Sequence, residues 1–160
     1  MRFAAYNLWV YSSLVLIGTC AMRAEQGNPT VTVMTQNMDA GTDLGFALAY
    51  LNTATPTVGI DLTYEEILQG NFAGRAAILA QEIATAKPHM VSLQESTLWS
   101  TGQSPVQQTP LFDQLQLLLD DLAGLGQDYS VVAIQPLTSI ALPMSSGVWL
   151  GFLDDASWGS

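Results

Sequence analysis

Basic residues are nearly absent from this chain. Four Lys and Arg stand against 14 Asp and Glu in 160 residues, a formal net charge of −10. So few cations cannot build the positive face that a phosphate backbone requires, which excludes a classical nucleic-acid-binding module. A single cysteine excludes a disulfide framework, and the absence of any short period excludes a collagen-like or coiled-coil chain. Charged residues of all kinds make up only 11%, whereas apolar residues reach 49%. That balance argues against wholesale disorder. It fits one globular domain, or part of a larger one.

What is there begins with a targeting pattern. Arg2 precedes an apolar stretch, Leu8–Ile17, and then the small residues Gly18, Thr19, Cys20 and Ala21. A basic start, a short apolar core and small residues at the end are the layout of a secretory signal. The run is shorter than the ~20 residues needed to span a bilayer. We therefore expect a signal peptide over 1–21 and a secreted or periplasmic chain with no transmembrane segment once the signal is removed. Cleavage after Ala24 is the other choice. Lipid anchoring through Cys20 is a second, less well matched reading, because Thr19 fits poorly just before a lipidated cysteine. Removal of 1–21 leaves Arg23, Arg75 and Lys87 against all 14 acids and takes away the thiol. Residues 22–29 read as a polar lead-in.

From residue 30 onward, strands alternate with amphipathic helices. Thr30–Asn37 alternates with a period of two and is rich in β-branched residues, the mark of a strand. Residues 38–62 carry Gly41, Gly45, Pro56 and Gly59 and read as a long loop with a helical turn near Phe46–Leu51. Thr63-Tyr64-Glu65-Glu66 has the spacing of a capping box and predicts a short helix ending near Gly70. Phe72, Ala76, Leu79, Ile83 and Ala86 form one apolar stripe, so 71–86 is the clearest helix, closed by Pro88. Met90–Gln94 reads as a buried strand that Glu95 ends. A polar loop over 96–108 leads to a helix opened by Thr109-Pro110, with Thr as cap and Pro at the first position. Its stripe is Leu111, Leu115, Leu118, Leu122 and Leu125. Tyr129–Ile134 and Val148–Leu153 read as the third and fourth strands. This order predicts a layered α/β fold.

Chemistry can sit where strands end. Asn37 closes the first predicted strand and Glu95 the second. If those strands are neighbours, the two side chains meet at the sheet edge where ligands of layered α/β folds bind. A carboxylate there can hold a hard divalent cation, since Mg²⁺ often takes only one or two protein carboxylates and keeps water for the rest. The plainer alternative is that Glu95 caps or pairs locally and Asn37 starts a turn. The only histidine, His89, has no partner in the sequence pattern and reads as a surface residue.

Three blocks carry a family resemblance. Val33-Met34-Thr35-Gln36-Asn37-Met38 resembles the opening strand of the endonuclease/exonuclease/phosphatase superfamily, the DNase I-like phosphodiesterases. Arg75–Ile83 resembles its first main helix. Lys87-Pro88-His89-Met90-Val91-Ser92-Leu93-Gln94-Glu95 resembles its K-P-D-I-V-x-L-Q-E signature, with His89 where the family usually has Asp. The resemblance spans roughly residues 30–135 and is specific mainly in that last block.

The resemblance implies a layered α/β sandwich of the DNase I-like type over 30–160. It implies Glu95 as a ligand of Mg²⁺ or Mn²⁺, and Asn37 as the group that orients the scissile phosphate or a metal-bound water. The implied reaction is phosphoester hydrolysis on a small molecule, a lipid head group or a nucleic acid, with charge arguing against a stable nucleic-acid partner. The family's second half carries an Asp-x-Asn strand end and a Ser-Asp-His with the general base, and neither is present in this sequence. The expectation is therefore an N-terminal half, truncated and weakly active or inactive. The alternative is an exported, non-catalytic α/β binding or interaction module.

Overall fold

In the computed structural model, residues 30–159 are described. The expected signal peptide, Cys20 and the polar lead-in lie outside them. Residues from Val31 onward form one compact unit. The elements in chain order are β1 (Val33–Asn37), α1 (Gly45–Tyr50), α2 (Pro56–Leu68), α3 (Phe72–Ala86), β2 (Met90–Ser104), β3 (Gln107–Asp113), α4 (Gln114–Gly124), β4 (Val131–Pro143) and β5 (Trp149–Gly159). The fold is mixed α/β, as the alternation of periods predicted.

The five strands make one sheet in the order β1-β2-β5-β4, with β3 paired to β2 beyond the end of β1. β1 runs parallel to β2, and Asn37 lies opposite Gln94. The other pairings are antiparallel. The parallel pair is joined through α1, α2 and α3, since a parallel crossover needs a long connection.

β2 is the spine of the sheet and is three times the predicted length. It does not end at Glu95. Between Leu93 and Ser96 it advances three residues while β5 advances only from Ser157 to Asp155, so one extra residue is bulged. A bulge of one residue reverses the side-chain phase of everything after it. Val91 and Leu93 therefore join a core cluster with Ala80 and Ile83 of α3 and with Leu118 and Leu122 of α4. Trp99 joins the other cluster, with Ala47, Ile60, Ile67, Leu150 and Phe152. The break in alternation that reads as a strand end is this bulge.

Further boundaries differ from the sequence reading, among them β4, which runs past Ile134 to Pro143. The capping box at Thr63 does not form. α2 begins at Pro56, with proline at its first position, and the buried Thr63 hydroxyl donates to the Gly59 carbonyl at 2.9 Å inside the helix. Thr109 and Pro110 do not open a helix but lie in β3, an edge strand, where a bulge tolerates proline's missing N–H. Asp113 caps α4 instead, its carboxylate accepting from the Gln116 N–H at 3.0 Å. β5 continues through Asp154, Asp155 and Ala156 to Gly159 rather than stopping at Leu153.

β4 is an edge strand with an exposed apolar surface, on which Val132 and Leu137 are 62% and 59% accessible. No helix among the described residues is long and apolar enough to cross a membrane.

Trp99 joins core and loop. It is 1% exposed, its ring lies 4.7 Å from that of Phe152, and its indole N–H donates to the Ala40 carbonyl at 2.8 Å. Trp99→Ala is expected to cost about 3–5 kcal/mol in chemical denaturation, as for large core aromatics. Trp99→Phe, which keeps most of the bulk and strands the Ala40 carbonyl, is expected to cost about 1–3 kcal/mol.

Candidate functional site

The two side chains singled out at the strand ends meet. Asn37 Nδ2 donates to Glu95 Oε1 at 2.8 Å, across the parallel β1–β2 pair. The bulge makes this possible. Glu95 sits at φ 52°, a left-handed conformation that a side chain adopts at a cost of about 1–3 kcal/mol. There its carboxylate reaches the loop that leaves β1. Its second oxygen, Oε2, accepts from the Ala40 N–H at 3.2 Å. An ionised carboxylate has about four acceptor positions, so Glu95 keeps some free after both bonds.

That loop is tied at every step. Asn37 Oδ1 accepts from the Asp39 N–H at 2.7 Å, and Asp39 Oδ1 accepts from the Gly41 N–H at 2.8 Å, two consecutive Asx turns. Asp39 and Gly41 both take positive φ, and a Cβ at Gly41 would come within 2.4 Å of the Phe72 ring. From α3, Arg75 donates to the carbonyls of Met38 and Asp39 at 3.3 and 2.6 Å and pairs with the Asp39 carboxylate at 3.5 Å. Its guanidinium stacks 4.8 Å above the Phe72 ring. Gln114, at the start of α4 and 3% exposed, donates to the Asp39 carbonyl and to Thr97 Oγ1.

Beside this loop opens a cleft of about 620 Å³. Its walls include Asp39, Asp43, Glu66, Glu95 and Asp154, with Ala40, Leu44 and Phe152 as apolar floor. Glu66 Oε2 accepts from Thr42 Oγ1 at 2.5 Å. Among the described residues no lysine or arginine lines the cleft, because Arg75 is turned to the loop's carbonyls. Asp154 has a buried oxygen, Oδ1, with no hydrogen-bond partner. Its pKa is raised above the ordinary 3.8 by burial first and by the Glu95 charge second. Asp154 and Glu95 therefore share one electrostatic environment.

These residues fit a hard cation. Glu95 offers unused acceptor positions, and Asp154, whose buried Oδ1 has no partner, lines the same cleft. Among the described residues no group of three or more His, Cys, Asp or Glu is drawn together tightly enough to enclose a metal. The arrangement suits an ion that holds one or two carboxylates and completes its shell with water and a ligand.

His89 takes no part. It is exposed at the opposite end of the β1–β2 pair, where its Nδ1 accepts from the Thr32 N–H at 3.0 Å. The sequence alone does not single out Asp39, Arg75, Gln114 or Asp154 as site residues. The available signals were an acid two residues beyond Asn37 and an acid pair directly following the apolar run Trp149–Leu153. No family model, no curated protein and no solved structure matches the chain.

Asp154 ionises near 3.8 in the unfolded chain and at higher pH in the fold. Its contribution favours the fold below 3.8 and is lost as pH rises through the raised value. With chelator present, Asp154→Asn is expected to raise the melting temperature at pH 7 and leave it nearly unchanged at pH 3. Calorimetry at the two pH values checks this.

Proposed function

We propose that this chain is an exported, metal-dependent phosphodiesterase of the DNase I-like type. The observation that carries the reading is the 2.8 Å bond from Asn37 to Glu95, whose carboxylate lines an acidic cleft while Asn37 lines the adjoining hollow beside Arg75. It supports the pairing of amide and acid that the family resemblance implies. The substrate class is a small phosphoester or a lipid head group. A long nucleic acid would bring many negative charges to a chain of net charge −10 with no cationic side chain among the described residues lining the cleft.

In this reading Glu95, with Asp154 beside it, would hold Mg²⁺ or Mn²⁺. When bound, such a cation neutralises charge on phosphoryl oxygens and lowers the pKa of water. Asn37 fixes the Glu95 carboxylate and has a second Nδ2–H to offer a phosphate oxygen. The loop held by Arg75, Gln114 and Trp99 keeps both in place before substrate arrives, which lowers the reorganisation needed on binding. The proton of an attacking water needs an acceptor in the cleft. His89 is too remote, and the acceptors present are the carboxylates that line the cleft beside Glu95 and Asp154, namely Asp39, Asp43 and Glu66. Hydrolysis by a carboxylate base without histidine is expected to be slow, since positioned acid–base groups typically contribute ~10²–10⁴-fold.

Two measurements test this. Calorimetric titration with Mg²⁺ should show binding to the native chain and at least a tenfold loss in Glu95→Gln, about 1.4 kcal/mol. Hydrolysis of bis(4-nitrophenyl) phosphate should be slow, Mg²⁺-dependent and lowered roughly 10–100-fold by Asn37→Ala, as when a group that orients a ligand is removed. A chain that shows neither Mg²⁺ binding nor Mg²⁺-dependent hydrolysis would instead be the non-catalytic module.

A further inference from the structure

The opposite face of the sheet, under the start of α4, holds a second group of oxygens without partners. Ser96 and Asp155 lie directly opposite each other across β2 and β5, so their side chains share a face. Directly paired Cβ atoms in such a ladder are about 4.5–5.5 Å apart. Ser96 is 3% exposed, and its hydroxyl has no hydrogen-bond partner. Asp155 Oδ1 is buried and also has none. The two do not bond to each other.

Asp113 completes the group. It pairs with Leu98, and Leu98 pairs with Leu153, which places Asp113 on the same face as Ser96 and Asp155, across β2 from Asp155 and offset by one pair, with Ser96 between them. One of its oxygens caps α4 by accepting from Gln116. The other remains free for a further ligand. The two carboxylates are close enough that Asp113 helps to raise the pKa of Asp155, behind burial and Asp154. No protein cation answers them. Among the described residues the cations are Arg75, which pairs with Asp39, and Lys87, which stands beyond the end of α3.

Two carboxylates and a buried hydroxyl that fail to satisfy one another leave free energy that water or an ion can recover. A cation at 2.3–2.6 Å from each oxygen bridges atoms that are too far apart to bond directly. We propose that Asp155, Asp113 and Ser96 form a cation site for a hard divalent ion of the Ca²⁺ class, separate from the Glu95 cleft. The site joins β2, β5 and the start of α4 at the residue that follows the bulge. Calcium suits it better than magnesium, because Mg²⁺ demands near-ideal octahedral geometry and keeps most of its water. Asp154 points to the other face and belongs to the cleft.

The test uses the full chain carrying Glu95→Gln, so that the cleft and this site are read apart. After chelation, calorimetric titration with CaCl₂ should show one bound ion and a rise in melting temperature. Asp155→Asn and Asp113→Asn should each weaken Ca²⁺ at least tenfold, the second while keeping a side chain able to cap α4. Ser96→Ala should melt at or above its parent in chelator, because an unpartnered hydroxyl is removed, and should lose most of the rise with Ca²⁺. Ser157→Ala removes another buried, unpartnered hydroxyl, one that lines an apolar crevice beneath α4, and should keep the Ca²⁺ response in full. Absence of a Ca²⁺-dependent heat or melting shift in the Glu95→Gln chain would overturn the proposal and leave a protonated Asp155 or buried water as the explanation. An undiminished response in Ser96→Ala and Asp155→Asn would overturn it equally.

Discussion

The bulge at Glu95 is the constraint from which the site and much of the packing follow. A straight β2 would keep one side-chain phase from Met90 to Ser104. It would then send Trp99 to the face occupied by Val91 and Leu93. One extra residue at φ 52° reverses the phase, so each half of the strand feeds a different core cluster. The same residue carries the carboxylate that grips Asn37 and Ala40. Backbone strain and side-chain bonding are thus placed on one position, and the loop from Asn37 to Gly41 is assembled around it. Glu95 is offset by its own hydrogen bonds, which is why a shortened side chain there would disturb the sheet as well as the cleft.

The charge balance of the cleft has a further meaning. A phosphoester approaching five carboxylates meets repulsion unless a cation is already present. The fold uses its nearest cation, Arg75, to hold carbonyls instead of leaving it free. Affinity for a substrate anion would therefore depend on prior occupancy by metal. A cationic or zwitterionic ligand would meet no such barrier. Long-range repulsion of this kind is screened by salt, and rates limited by it rise with ionic strength.

What the sequence shows and hides follows physical lines. Asn37 was legible because β1 alternates cleanly up to it, and Glu95 because apolar alternation stops there. The stop reads as an end, since a one-residue bulge and a terminus look alike in a period-two pattern. α3 was legible from its stripe, which packs as predicted at Phe72, Ala76 and Ile83. β3 was hidden because Thr109-Pro110 is also a good helix opening, and only the partner strand decides between them. Asp154 and Asp155 were hidden for another reason. Acids are depleted in strands, so an acid pair after an apolar run reads as a turn. Here each acid faces a different side of the sheet, and neither placement is visible without β2 beside it. The proposed DNase I-like reading rests on the resemblance of short blocks and on the pairing of Asn37 with Glu95.

Strand order also bears on biosynthesis. β5 lies between β2 and β4, yet it leaves the ribosome after both. Until it emerges, β2 has an open flank and β4 has no neighbour at all, with Val132 and Leu137 bare. β4 therefore cannot join the sheet until the residues between Pro143 and Gly159 are free to pair between it and β2. A holdase bound to that interval, or slow passage through it, would govern how much of the protein reaches its native sheet.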